Sequence, residues 1–126
     1  MTQLLLDTNI VLWLSEDTAR VNSIKPLLLS RGSQVFISTV TWWEIAIKKR
    51  AGKLAVDLEY IRSYARRCDF HELPITGSCM EAYLGLPDIH KDPFDHMLLA
   101  QAISTPMRLI TGNSLLAEYS SLVMVV

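Results

Sequence analysis

The amino-acid sequence predicts an α/β fold, with short strands alternating with helices around a mainly parallel sheet. Three observations carry this reading. Apolar runs such as Leu4–Leu6 and Leu122–Val125 are too short for helices and suit buried strands. The longer segments between such runs repeat their apolar residues at helical spacing. The 126 residues, 50% hydrophobic and 20% charged, contain no repeat, low-complexity stretch or linker, as expected of one globular domain over residues 1–126.

Leu4–Leu6 is the first strand, and Asp7 opens a helix to about Ser15. A second helix is expected over Ser23–Ser30, with Pro26 fitting its first turn and Gly32 ending it. Gln34–Ile37 alternates like a strand. Ser38 or Thr39 then caps a long helix to about Ala51, with Gly52 as a natural stop. Leu58–Cys68 is amphipathic through Ile61, Tyr64 and Ala65. A strand at Phe70–Leu73 precedes a helix near Gly77–Leu84, ended by Gly85 and Pro87. Asp92–Ser104 reads as a helix, Leu109–Ile110 as a strand, Ser114–Tyr119 as a helical turn and Leu122–Val125 as the last strand. Ligands of open parallel sheets lie beyond the carboxyl ends of the strands, where Asp7 and Asn113 fall.

The formal net charge of −1 gives no global electrostatic argument for a nucleic-acid partner. Lys48, Lys49, Arg50 and Lys53 form a local basic cluster, followed by Arg62, Arg66 and Arg67. Such charges are ordinarily solvated helix faces; they permit a phosphate-backbone partner without requiring one. Cys68 and Cys79 make no disulfide framework and read as reduced thiols. Met1 runs into the first strand without a basic leader or cleavage site. Runs such as Ile10–Leu14 fall far short of the ~20 residues that span a bilayer. A soluble, cytoplasmic protein without membrane partners is expected.

Three acids fall on or beside apolar stripes. Positions i+3, i+4 and i+7 from Asp7 hold Ile10, Val11 and Leu14. From Asp95 they hold Leu98, Leu99 and Ala102. Glu44 borders the stripe expected from Val40, Trp43, Ile47, Ala51 and Leu54. An unpaired carboxylate facing such surroundings protonates or destabilises the fold by several kcal/mol. Each acid taken singly has a structural reading. Asp7 and Asp92 suit N-caps, Asp95 a capping arrangement, and Glu44 an i,i+4 pair with Lys48. Together they point to a shared counter-charge, and oxygen ligands suit Mg²⁺ or Mn²⁺. Spacing leads to a carboxylate–metal cluster and leaves the reaction open.

The motifs LLLDTN, STVTWWEIAIKKRAGKL and HKDPFDHMLLAQA, with ELPIT at Glu72–Thr76 and LITGNSLLAEY after them, resemble the PIN-domain family. More narrowly, they resemble its VapC-like toxins of bacterial toxin–antitoxin pairs, over nearly the whole chain. The resemblance implies a three-layer α/β/α sandwich and an Mg²⁺- or Mn²⁺-dependent ribonuclease whose products carry a 5′-phosphate and a 3′-hydroxyl. Carried over by motif, Asp7, Glu44 and Asp95 are the metal-binding catalytic acids, and Thr8 or Asn9 is a supporting polar position. The resemblance also implies a cognate antitoxin and a homodimer as partners, besides the RNA substrate. One position departs. Family members commonly carry a fourth acid where this chain has Asn113, in Thr111–Gly112–Asn113. An asparagine carbonyl can ligate a metal or hold a water, but it adds no negative charge.

That departure favours an alternative, a catalytically weakened PIN-fold protein that binds an antitoxin or RNA without efficient cleavage. A second rival, phosphotransfer through Asp7, is disfavoured because Asn9 stands where haloacid-dehalogenase-type enzymes carry a second Asp. His71, His90 and His96 are not at zinc-ligand spacing with the cysteines and read as ordinary residues. Trp13, Trp42 and Trp43 read as core or interface residues rather than base-stacking platforms. Trp42 and Ile45 fall off the expected stripe of their helix and would form an exposed apolar patch suited to a protein partner.

Overall fold

Strand β1 (Thr2–Leu6) is the centre of the structure, and its three consecutive leucines explain the layering. Leu4 and Leu6 face one side of the sheet and Leu5 the other, and all three are fully buried. The computed structural model describes residues 1–126. Around β1 it arranges β2 (Ser33–Ser38), β3 (His71–Leu73), β4 (Arg108–Thr111) and β5 (Val123–Val125) in the order β3-β2-β1-β4-β5. Every pairing is parallel. The chain builds outward from β1 to β3, then crosses back to lay β4 on the other side of β1. The strand order reverses between β1 and β4, and a crevice opens at such a switch point.

Helices cover both faces, as expected for a three-layer α/β/α sandwich. On one side, Leu4, Leu6 and Ile37 pack with Ile10, Val11 and Leu14 of α1 (Thr8–Ser15) and with Ile61 and Ala65 of α4 (Leu58–Arg67). On the other, Leu5 and Leu109 pack with Leu98, Leu99 and Ala102 of α6 (Pro93–Ser104). The stripes read behind Asp7 and Asp95 are thus both core-facing. The caps follow the sequence closely: Asp7 caps α1, Ser38 caps α3 (Thr39–Arg50), and Asp92 caps α6. Gly52, just past α3, has a φ of 75°, the left-handed region that favours glycine. No helix is long and apolar enough to cross a membrane.

Three expectations need correction. The second helix is a single turn, α2 (Lys25–Leu28), rather than Ser23–Ser30; Leu29 beyond it is exposed and has nothing to pack on. The segment near Gly77–Leu84 divides into a 3₁₀ turn (Gly77–Cys79) and α5 (Met80–Leu84). The largest difference concerns α3. Its buried residues are Val40, Thr41, Glu44 and Ile45, whereas Trp43 and Ile47 are exposed. The helix lies across both cores, with Val40 in one and Ile45 in the other. Its inward face therefore carries Thr41 and Glu44 instead of a continuous apolar stripe. Ile45 is fully buried and Trp42 packs partly against the core, so the exposed apolar residues of this helix are not the expected pair.

Just past β4, a Cβ built on Gly112 would lie 2.6 Å from Cη2 of Trp13, whose ring lies under the Arg20 guanidinium. Gly112→Ala must displace the indole, and we expect a loss of roughly 1–3 kcal/mol in urea unfolding, as for overpacking. An unchanged midpoint would show that the indole is not fixed there.

Candidate active site

Asp7 ends β1 at the switch point. Its backbone N–H completes the strand by donating to Ile110 O at 2.9 Å, so the residue is fixed before its side chain is considered. One carboxylate oxygen, Oδ1, accepts from the Thr8 amide at 2.7 Å. The other, Oδ2, accepts from Thr111 Oγ1 at 2.6 Å. The residue is only 4% exposed and touches no basic group. Burial pushes its pKa from an ordinary 3.8 up to about 6. The bonds from Thr111 and Thr8 oppose that rise, while Asp95 and Glu44 add to it by repulsion.

Glu44 reaches the same crevice from α3. Its Oε1 accepts from Thr8 Oγ1 at 2.6 Å, and Thr41 Oγ1 lies 3.2 Å from that hydroxyl. The other oxygen, Oε2, pairs with Lys48 Nζ at 2.5 Å. The expected i,i+4 pair therefore exists, but its acid is buried and its base half-buried. The hydrogen bond to Glu44 is the main cause that raises the pKa of Lys48, and Asp92 and Asp95 add attraction. Asp95 comes from the first turn of α6, where Asp92 accepts from the amides of Phe94 and Asp95. Burial raises the Asp95 pKa, a hydrogen bond with His90 opposes the rise, and Asp92 and Glu44 add repulsion.

The three sequence-selected acids thus lie within electrostatic reach of one another around the switch point. They are not drawn into a coordination shell: no three carboxylates, imidazoles or thiols are gathered closely enough to hold an ion. Each has a local partner instead, namely Thr111 for Asp7, Thr8 and Lys48 for Glu44, and His90 for Asp95. Of the supporting positions, Thr8 bridges toward Glu44, while Asn9 is exposed and makes no side-chain bond. Asn113 caps the 3₁₀ helix Ser114–Glu118 through its Oδ1, and its amide donates to Thr111 Oγ1 at 3.0 Å. It stands one hydrogen bond removed from Asp7.

The profile of the PIN domain matches residues 4–122. The chain belongs to the PIN-domain family. Ribonuclease VapC22 of Mycobacterium tuberculosis (strain ATCC 25618 / H37Rv) is similar at 24% identity over 123 residues, covering 94% of this chain and 93% of that protein. Among solved structures, VapBC2 from Rickettsia felis bound to a promoter DNA fragment gives a TM-score of 0.73 at 16% identity, covering 99% of this chain and 98% of that one. A toxin–antitoxin complex from Klebsiella pneumoniae gives 0.68 at 23% identity, with 96% and 95% covered. These likenesses establish the PIN fold at full chain length.

Sequence reasoning missed Thr111, His90, His96 and Tyr119 as participants in this PIN domain. Thr111 directly follows the buried pair Leu109–Ile110 and so emerges beside Asp7, a signal available from register alone. Lys48 was read as the i,i+4 partner of Glu44 in a surface pair; the structure adds that the acid of that pair is buried. His90 and His96 were read as ordinary, yet His90 Nε2 lies 3.2 Å from Asp95 Oδ2, and both rings approach the hydroxyl of Tyr119. That meeting joins a loop, a helix and a segment far along the chain, and no sequence period encodes it. His71 stays apart, stacked near Phe36.

The ligating atoms that Asp7, Glu44 and Asp95 could offer are all carboxylate oxygens, and Asp7 has no basic partner, which fits a hard divalent cation. Without one, Asp95 and Asp7, both raised by burial, shift stability with pH in the same direction, and the Asp7 contribution can be isolated. The folded pKa of Asp7 lies above its unfolded value, so its ionisation weakens the fold increasingly between about pH 4 and 6, by roughly 3 kcal/mol at most. In EDTA, Asp7→Asn should therefore melt several degrees higher than the wild type at pH 7.5 and at nearly the same temperature at pH 4. A lower melting temperature at pH 7.5 would contradict this.

Proposed function

We propose that this PIN domain is a metal-dependent endoribonuclease and the toxin of a toxin–antitoxin pair. The observation that carries the chemistry is the buried Asp7 carboxylate at the switch point, bonded to no basic side chain, with Asp95 and Glu44 close enough to repel it. Family membership and the similarity to Ribonuclease VapC22 support RNA as the substrate. Asp7, Asp95 and Glu44 would hold Mg²⁺ or Mn²⁺. Such an ion, when bound, supplies Lewis-acid activation of a phosphodiester and a lowered pKa for an attacking water.

The chain's own residues have separable roles in this reading. Thr111 and the Thr8 amide fix both oxygens of Asp7, so its direction is set before any ligand arrives. Thr8 does the same for one oxygen of Glu44. Lys48 sits on the other, half-exposed, where a phosphate would also find it. Because the acid of this pair is buried, the ammonium would leave Glu44 for a bound phosphate only where another positive charge took its place. Hydrolysis by water would leave a 5′-phosphate and a 3′-hydroxyl. A cytoplasmic setting suits an RNA substrate and the free thiols Cys68 and Cys79.

The partner proposals are an antitoxin and a second copy of this chain. Two of the similar solved structures are named as VapBC or toxin–antitoxin complexes. An apolar groove of about 240 Å³ between α3 and α6, lined by Trp43, Ile75, Tyr83, Phe94 and Met97, offers surface for such a partner.

Purified protein with labelled RNA and Mn²⁺ should cleave it, and EDTA should stop cleavage. Asp7→Asn or Asp95→Asn should lower the rate by at least about 100-fold, consistent with loss of a catalytic ligand. Undiminished cleavage by either variant would overturn the assignment. The weakened-enzyme reading retains one supporting observation, the neutral Asn113 where an acid is common. Asp can cap the 3₁₀ helix as Asn does, so Asn113→Asp should fold normally. A wild type inactive with Mn²⁺ alongside an active Asn113→Asp would favour that second reading.

A further inference from the structure

One phenol fastens the loop before α6 to the turn that follows the 3₁₀ helix Ser114–Glu118. Tyr119 Oη accepts from the backbone amides of Ile89 and His90 at 3.2 and 3.1 Å. It also lies 2.8 Å from His90 Nδ1 and 3.1 Å from His96 Nε2. Across the imidazole, His90 Nε2 is 3.2 Å from Asp95 Oδ2. The His90 and Asp95 side chains are 16% and 13% exposed, so the contact is largely sheltered from water.

Counting protons assigns the roles. A phenol oxygen has one proton to give and two accepting positions. Backbone amides can only donate, and the amides of Ile89 and His90 fill those two positions. A further donor from His90 Nδ1 would find no lone pair. The hydroxyl must instead donate, and His90 Nδ1 is the nearer of the two ring nitrogens. With Nδ1 bare, a neutral ring carries its hydrogen on Nε2, facing Asp95. The other tautomer would set a nitrogen lone pair against a carboxylate oxygen.

We propose that Tyr119 and His90 form a positioning relay for Asp95: Tyr119 selects the Nε2–H tautomer of His90, and that N–H holds Asp95 Oδ2. Oδ1 of Asp95, which takes no hydrogen bond from the protein, is left to meet a ligand. The relay gives Asp95 a fixed direction where its neighbours Asp92 and Glu44 only repel it. Neither residue touches substrate or metal; both act through Asp95. The inference rests on the nuclease reading for its purpose, though not for its geometry.

The test begins with long-range ¹H–¹⁵N spectra of the full chain in EDTA at pH 8, above the ordinary imidazole pKa of about 6.5. His90 should carry its proton on Nε2 alone, and Tyr119→Phe should lose that single tautomer. In Mn²⁺-dependent RNA cleavage, Tyr119→Phe should lower kcat on the order of ten-fold with little change in KM. Adding His90→Gln to that variant should restore most of the rate, because a glutamine amide can donate to Asp95 without Tyr119. A purely structural tyrosine would show no such rescue. Wild-type His90 protonated on Nδ1, an unmoved tautomer in Tyr119→Phe, or a failed rescue would each overturn the relay. Should Tyr119→Phe not fold, the wild-type spectrum alone still decides. A wild type with the expected tautomer that cuts no RNA would support the relay and sink the nuclease reading.

Discussion

A carboxylate closed off at the end of the central strand governs the rest of this structure. Asp7 cannot move, because its backbone belongs to the β1–β4 ladder, and it cannot be solvated, because α1 and β4 enclose it. Its two oxygens are satisfied by hydrogen bonds but its charge is not. Hydrogen bonds lower the cost of a buried anion without cancelling it. The switch point of the sheet fixes where that unbalanced charge sits, and the other acids come close enough to increase it. A fold built for stability alone would place an asparagine or a basic partner there.

The neighbouring acids bear their charge differently. Glu44 leans on Lys48, in an ion pair with a buried acid and a half-exposed base. Asp95 leans on an imidazole that is itself tethered. Only Asp7 has no positive or potentially positive contact. In the proposed metal-bound state, a divalent ion would take over the charge that Lys48 supplies to Glu44. Lys48 would then be available to a phosphate.

Much of this was legible in the sequence, and the reasons differ by element. The runs Leu4–Leu6 and Leu109–Ile110 revealed strands buried on both faces, and the stripes behind Asp7 and Asp95 revealed the core-facing sides of α1 and α6. These helices each pack on one core, so their period is readable. Helix α3 lies across two cores, and its inward face mixes Val40, Thr41, Glu44 and Ile45. A period search finds the apolar residues Trp43 and Ile47 and so chooses the wrong side. Glu44 was nevertheless selected, because its acid in an apolar setting is anomalous from either side. The Tyr119–His90–Asp95 contact joins the loop before α6 to the 3₁₀ helix after β4, and only tertiary structure brings them together. The Glu44–Lys48 pair was legible from its i,i+4 spacing, but the burial of its acid was not, because that depends on how α3 lies across the sheet.

The most direct measurement is anomalous diffraction from crystals soaked in Mn²⁺. If the unbalanced charge at Asp7 is a site for a cation, a manganese peak should lie in contact with the carboxylates of Asp7 and Asp95. Manganese found only elsewhere, with Asp7 still bonded to Thr111 and Thr8 alone, would show that the buried charge serves no metal.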